Sequence, residues 1–181
     1  METNRLKIRT LNEGDAPFLF QLMNTPKWYQ NIGDKGIANV QDARKYIRSK
    51  MSTDLDEKGF INHLMIEKAS NRPVGTCSIH DRDGVEGLDV GYAMLEEFEG
   101  LGYATEGATL MVQMAFTRFK SNQLSAITSI QNRASQKVLE KIGFRYQSNI
   151  MLPDGKEEIR LFVIERTDFE GNLRRSEIHK P

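Results

Sequence analysis

One stretch of the sequence constrains the fold more than any other: Asp89-Val90-Gly91-Tyr92-Ala93-Met94-Leu95-Glu96-Glu97-Phe98-Glu99-Gly100-Leu101-Gly102-Tyr103-Ala104-Thr105-Glu106. It reads as a buried strand, a tight turn punctuated by glycine, and the first turn of a long helix. A strand that runs straight into a helix N-terminus aims several unpaired backbone N–H groups at one point, and the helix dipole adds partial positive charge there. Such a corner binds anions. Gly100 and Gly102 let backbone and ligand approach where a side chain would obstruct them. The chemistry that fits is a diphosphate-bearing cofactor.

Around this corner the chain reads as alternating strands and helices. Leu6, Ile8 and Thr10 alternate with Lys7 and Arg9, which predicts a first strand with one buried face. Asn12 to Asp15 supplies helix-start chemistry for the apolar segment Phe18 to Met23, and Pro26 ends it. A loop follows, holding Lys27-Trp28-Tyr29 and Gly33 to Gly36. An amphipathic helix over Gln41 to Lys50 has Ala43, Tyr46 and Ile47 on one side.

Phe60 to Glu67 and Pro73 to Ile79 read as two strands joined by the polar turn Ala69 to Arg72, with another turn at Asp83-Gly84. The helix of about Gly102 to Phe119 carries Ala104, Ala108, Met111, Ala115 and Phe119 on one face. Leu124 to Ile130 reads as a strand and Asn132 to Ile142 as a helix ended by Gly143. Two last strands, Arg145 to Met151 and Glu157 to Ile164, flank the turn Pro153-Asp154-Gly155. The result is a single α/β (α+β) domain over residues 1–181, a sheet with helices on its faces.

Charge and cysteine content narrow the function classes. Twenty-five basic side chains match 25 acidic ones, so no overall field draws nucleic acid or an acidic membrane. The single cysteine, Cys77, excludes an internal disulfide and a cysteine-rich metal cluster. Without a signal-like N-terminus or a long apolar run, a cytoplasmic setting is the simplest expectation.

The segment Glu99-Gly100-Leu101-Gly102-Tyr103-Ala104 resembles the acetyl-CoA signature Gln/Arg-x-x-Gly-x-Gly/Ala of the GNAT superfamily of N-acyltransferases. Thr105-Glu106 continues it in the usual way. Asn132-Arg133-Ala134-Ser135, followed by Leu139-Glu140-Lys141-Ile142-Gly143-Phe144, is similar to the second half of that fold. It looks most like the branch of ribosomal-protein alanine and serine N-acetyltransferases, with which the opening Arg5-Leu6-Lys7-Ile8-Arg9 agrees. The resemblance implies a mixed, mostly antiparallel sheet of about seven strands flanked by helices, and no metal. Glu99 departs from the pattern, because an acidic side chain pointing inward would repel a pyrophosphate. An outward orientation is therefore expected.

The resemblance also implies roles. Leu101, Gly102, Tyr103, Ala104 and Thr105 would bind the pyrophosphate through N–H groups, with the Thr105 hydroxyl as a further donor. Backbone of Ala93, Met94 and Leu95 would hold the pantetheine arm where the strand splays from its neighbour. Asn132 would contact the pantetheine or acetyl end, although an N-cap is a sufficient reason for it.

Many relatives carry a tyrosine acid four positions after Ser135; here that place is Leu139. Ser135 would then position the sulfur or relay a proton, or else is a small residue packed in the first helical turn. Asp89 is the base implied by the family, with Glu67 and His80 as rivals. No base is needed if the acceptor is an N-terminal α-amine, whose pKa is ~8 against ~10.4 for lysine. Trp28 and Tyr29 either line the acceptor pocket or pack as aromatics. The implied activity is direct acetyl transfer from acetyl-CoA to a primary amine, of a protein N-terminus or of a small molecule. A non-catalytic acyl-CoA-binding module is the alternative, and a homodimer is expected from relatives.

Overall fold

Alternating apolar residues form the edge strand β1, Leu6–Thr10. It opens the computed structural model, which describes residues 1–50, 60–153, 155 and 157–171. The other strands are β2 (Phe60–Glu67), β3 (Pro73–Asp81), β4 (Leu88–Met94), β5 (Gln123–Ser129), β6 (Arg145–Ile150) and β7 (Ile159–Glu165). They form one seven-stranded sheet in the order β1-β2-β3-β4-β5-β7-β6. Every neighbouring pair is antiparallel except β4 and β5. The expected mixed, mostly antiparallel architecture is present. Asp154, in the expected last turn, lies outside the described residues.

Helices among the described residues include α1 (Ala16–Met23), α2 (Pro26–Asn31), α3 (Val40–Lys50), α4 (Tyr103–Thr117) and α5 (Arg133–Ile142). The segment Lys27-Trp28-Tyr29, expected in a loop, is helical. Thr25 caps α2 by accepting from the Trp28 N–H, and Pro26 takes the first helical position. Proline has no N–H to lose there, so the residue that closes α1 also opens α2.

Cross-strand register sorts the side chains onto two faces, because directly opposed residues point the same way. Thr10, His63, Cys77 and Tyr92 form one row across β1 to β4. This face lies under α4: Met65 occupies the space where a Cβ on Gly107 would sit, with its sulfur 2.2 Å from that point. Ala108, Met111, Val112 and Ala115 complete the contact and belong to the main core. Ala104 and Phe119, expected on that apolar face, are only half-buried. The buried stripe instead begins at Tyr103 and Gly107.

The opposite face carries Leu64, Thr76, Ser78, His80, Asp89, Gly91 and Ala93. Leu64 packs there with Leu11 and Phe18 of α1. Helices α1 and α3 close over it through Ala16, Leu19, Met23, Ala43 and Ile47. β3 extends beyond Ile79 to Asp81, so His80 sits within a strand and not in a turn. Backbone pairing to Phe60 on one side and Asp89 on the other holds it there.

Candidate active site

Strands β4 and β5 pair only at Leu88–Leu124 and Asp89–Ser125. β3 continues along the whole of β4, and β7 along the whole of β5, so the two halves of the sheet diverge from this point. The β5-side edge of Val90 to Met94 is left bordering a wedge-shaped gap. The Leu95 N–H donates to the Val74 carbonyl at 3.0 Å, which sets the phase of the ladder. In an antiparallel pair successive residues turn their backbone groups to opposite sides. Leu95, Ala93 and Gly91 therefore address β3, and Met94, Tyr92 and Val90 address the gap. Of the expected trio only Met94 presents its backbone there. Ala93 and Leu95 present theirs to β3, and Tyr92 joins Met94 in facing the gap.

The chain then turns through Glu96–Phe98 into α4. Gly100 and Gly102 have φ of 72° and 86°, in the left-handed region that glycine tolerates. Gly102 is the N-cap and offers no side chain, whereas Thr25 and Asn132 cap α2 and α5. The first helical bond runs from Glu106 N–H to Gly102 C=O at 3.1 Å. The N–H groups of Tyr103, Ala104 and Thr105 stand ahead of it and point out of the helix end. Leu101 is exposed, and its carbonyl accepts from Arg5 Nη1 at 2.8 Å. Glu99 is also exposed, and its carboxylate is bound by the ammonium of Lys27 from α2.

Across the gap, Asn132 caps α5: its Oδ1 accepts from the Ser135 N–H at 3.1 Å. The Tyr92 hydroxyl lies 2.9 Å from the Ser135 hydroxyl and 3.2 Å from the Ser135 carbonyl, two alternative acceptors for its one proton. Burial, partly offset by the Ser135 hydrogen bond, pushes the Tyr92 phenol up to about 12. It remains a hydrogen-bond donor at any physiological pH. Leu139 is 1% exposed and belongs to the core. Sequence reading passed over Tyr92; the signal was its place one residue after Gly91 on the splaying strand.

The α1 face holds a second polar group. Asp89 is 1% exposed, and its two oxygens receive Arg82 Nε and Nη2 at 3.2 and 3.3 Å. His80 stands opposite it, with Nε2 2.8 Å from Ser78 Oγ. Gly91 makes room for this pair, since a Cβ there would meet Ser78 Oγ at 2.9 Å and His80 Nε2 at 3.5 Å. Burial lowers the His80 pKa, while Asp89 pulls it back up. The net direction is downward, which favours the neutral imidazole.

Glu67 does not join this group. It ends β2 opposite Leu6, and its carboxylate binds the Ser70 hydroxyl and the Tyr103 hydroxyl at the start of α4. Cys77 is wholly buried on the α4 face, where burial raises its thiol pKa, so it is no nucleophile.

The two aromatics of α2 separate. Trp28 packs against two core clusters with its indole Nε1 buried and without a partner among the described residues. Tyr29 is 43% exposed and donates to Asn24 Oδ1 at 2.6 Å. No group of three or more potential metal ligands occurs among the described residues. Nor is any described helix long and apolar enough to cross a membrane.

Residues 5–145 match the family model of the acetyltransferase (GNAT) domain. The chain belongs to the GNAT acetyltransferase family. This GNAT protein is an N-acetyltransferase that uses acetyl-CoA. It is 28% identical over 145 residues to p20, an uncharacterized N-acetyltransferase of Bacillus licheniformis, covering 79% of this chain and 80% of that one. Its fold is similar to that of the ribosomal-protein-S5-alanine acetyltransferase from Vibrio fischeri, with TM-score 0.73, 15% identity, and 93% and 97% of the two chains covered. It is also similar to that of the aminoglycoside acetyltransferase AAC(6')-Ib in complex with coenzyme A, with TM-score 0.76, 17% identity, and 93% and 99% of the two chains covered. The residues present fit the co-substrate: a helix end without a side-chain cap, a glycine turn and a half-unpaired strand edge offer backbone donors in a line.

Proposed function

We propose that this acetyltransferase moves an acetyl group directly from the thioester of acetyl-CoA to the α-amine of a protein or peptide N-terminus. The observation that carries the reading is the parting of β4 and β5 after two residue pairs, at a strand that runs into the uncapped glycine turn. The N–H groups of Tyr103, Ala104 and Thr105 bind the pyrophosphate, assisted by the open backbone at Leu101 and Gly102. Met94 and Tyr92 bond the pantetheine arm through the strand edge, and Asn132 borders it from the other side. Trp28 and Tyr29 lie on the helix that faces the acceptor.

The amine nitrogen attacks the thioester carbon, so a C–N bond forms and the C–S bond breaks. The nitrogen then loses one proton and the departing sulfur gains one. These two proton events fall to opposite sides of the sheet. Ser135 and Tyr92, on the α4 side, hold and protonate the thiolate. A serine hydroxyl that accepts from Tyr92 is free to aim its own proton at the sulfur. His80, on the α1 side, is the group able to take the amine proton. Asp89, with both oxygens held by Arg82, serves as its counter-charge and not as the base itself.

An α-amine is substantially neutral at physiological pH and asks little of that base. This favours a chain terminus over a lysine side chain. The test is acetyl-CoA consumption, followed by release of free thiol, with peptides varied at their first residue and a parallel panel of small amines. Turnover on peptides with free α-amines, and loss of it on N-terminally blocked ones, supports the reading. Turnover confined to small amines overturns the acceptor, and thioester binding with no turnover on any amine overturns the enzyme mechanism.

A further inference from the structure

The proposed phosphate turn carries an unexpected charge. Glu96, Glu97 and Glu99 precede it and Glu106 follows it. A carboxylate near a diphosphate raises the cost of binding through plain Coulomb repulsion. The fold answers each with a cation from elsewhere in the chain. Arg72, after the turn that leads into β3, binds Glu97 and lies over the Phe98 ring at 4.9 Å. Arg5 binds Glu106 at 2.8 Å. Lys27 binds Glu99 and lies 3.4 Å from Glu96.

Lys27 differs from the two arginines because it comes from α2, on the acceptor side. The same short helix is fastened at its other end, where Asn31 Oδ1 accepts from the hydroxyl of Ser129 at 3.0 Å. Ser129 is the last residue of β5. The helix that carries Trp28 and Tyr29 therefore reaches the end of β5 and the turn that follows β4. It is tied to the end of one parting strand and to the turn that follows the other.

We propose that Lys27 is a cofactor-affinity residue that neutralises Glu99 and Glu96 beside the phosphate turn and so couples the acceptor helix α2 to the bound coenzyme. The proposal rests on the turn being the phosphate site. It explains how an acidic side chain is tolerated where the family pattern has Gln or Arg: the cation is supplied in space instead of in sequence. Glu99 and Lys27 are 72 positions apart. Hydrogen bonding to Glu99 holds the Lys27 proton more tightly than in a free lysine, so the ammonium is charged throughout the neutral range.

The test is titration calorimetry of free coenzyme A into wild type, Lys27→Met, Glu99→Gln and the double variant, at low and high ionic strength. Lys27→Met is expected to weaken binding about three- to tenfold at low salt, with the loss shrinking as salt screens the exposed carboxylates. Glu99→Gln is expected to bind as tightly as wild type or more so, and the double variant to return to within about twofold of wild type.

Trp28 is the only tryptophan of the chain and neighbours Lys27, so its emission reports on α2. Coenzyme is expected to shift that emission in wild type and not in Lys27→Met. Affinity within about twofold of wild type in Lys27→Met, or a double variant as weak as Lys27→Met, overturns the proposal. Weaker binding by Glu99→Gln, a variant that leaves the lysine in place, overturns it even if Lys27→Met fails to fold. No heat from wild type itself retires the phosphate turn, a different failure.

Discussion

The hydroxyls of Tyr92 and Ser135 meet at 2.9 Å although the residues are 43 positions apart, one on a splaying strand and the other in the first turn of α5. This contact answers a difficulty in the sequence. The helix position that carries a tyrosine acid in many relatives holds Leu139, which is buried in the core. A phenol is nevertheless delivered one turn earlier on that helix, at Ser135, from the strand across the gap.

Ser135→Ala is expected to slow turnover about ten- to a hundredfold while changing coenzyme affinity by less than about threefold. Tyr92→Phe keeps the ring packing and removes only the hydroxyl, and is expected to cost about tenfold in turnover. Single-turnover thiol release beside calorimetric binding separates the two quantities. Unchanged turnover in Ser135→Ala would remove the serine from the chemistry.

His80 and Asp89 are separable by the pH dependence of kcat/KM. Asp89 raises the His80 pKa, against burial and the positive charges of Arg82 and Lys35, which lower it. Asp89→Asn should therefore move the ascending limb of the profile to lower pH, because the imidazole loses its proton more readily without the carboxylate. His80→Gln should remove that limb and lower turnover at neutral pH by tenfold or so. A limb unmoved in both variants would assign it to the acceptor amine alone.

Arg5, just before β1, is joined to Glu106 in the first turns of α4. Glu106 accepts from the Arg5 N–H and Arg5 Nε, each at 2.8 Å, and from the Thr3 hydroxyl. Burial raises the Glu106 pKa, but these hydrogen bonds outweigh it and leave the carboxyl below the ordinary glutamate value. A depressed folded-state pKa contributes stability above the unfolded pKa, and that stability is lost as pH falls through the folded one. Glu106→Gln is expected to cost about 1–2 kcal/mol at neutral pH, and the difference should shrink as pH falls from the ordinary glutamate range through the depressed folded-state value. Denaturant melts of both proteins across that range test it.

His63 supplies a second acid-sensitive element. Burial, with smaller contributions from the N-terminal ammonium and Arg118, lowers its pKa to about 4. The folded state thus holds a neutral imidazole where the unfolded chain, with a pKa near ~6.5, takes up a proton. Stability is then complete above the unfolded value and declines as pH falls from about 6.5 toward 4, by up to roughly 3 kcal/mol. His63→Gln has no proton to gain and should lose correspondingly less over the same window. Equal slopes for the two proteins in urea melts would show that His63 does not carry the effect.

Much of the candidate site's backbone was legible in the sequence because its geometry is local. A strand entering a helix through Gly100 and Gly102 sets backbone direction within a few residues, and periodicity placed α4, α5 and six of the strands to within a residue or two at their ends. Asn132 read as an N-cap and is one. The short helix α2 was missed because Pro26 stops a helix and starts one equally well; only the Thr25 cap distinguishes the cases. The backbone phase of β4 was also hidden, since nothing between Ala93 and Leu95 says which neighbour each N–H will address.

The order of residues alone determined where unpaired backbone donors cluster, which segments bury a face, and which family pattern the chain follows. Tertiary structure decided which side chains meet: Tyr92 with Ser135, His80 with Ser78 and Asp89, Lys27 with Glu99. The physical reason lies in range. Helix starts and turns are fixed by dihedral preference and neighbouring hydrogen bonds, whereas these meetings depend on strand register, on the parting of β4 from β5, and on helices packed over opposite faces of one sheet.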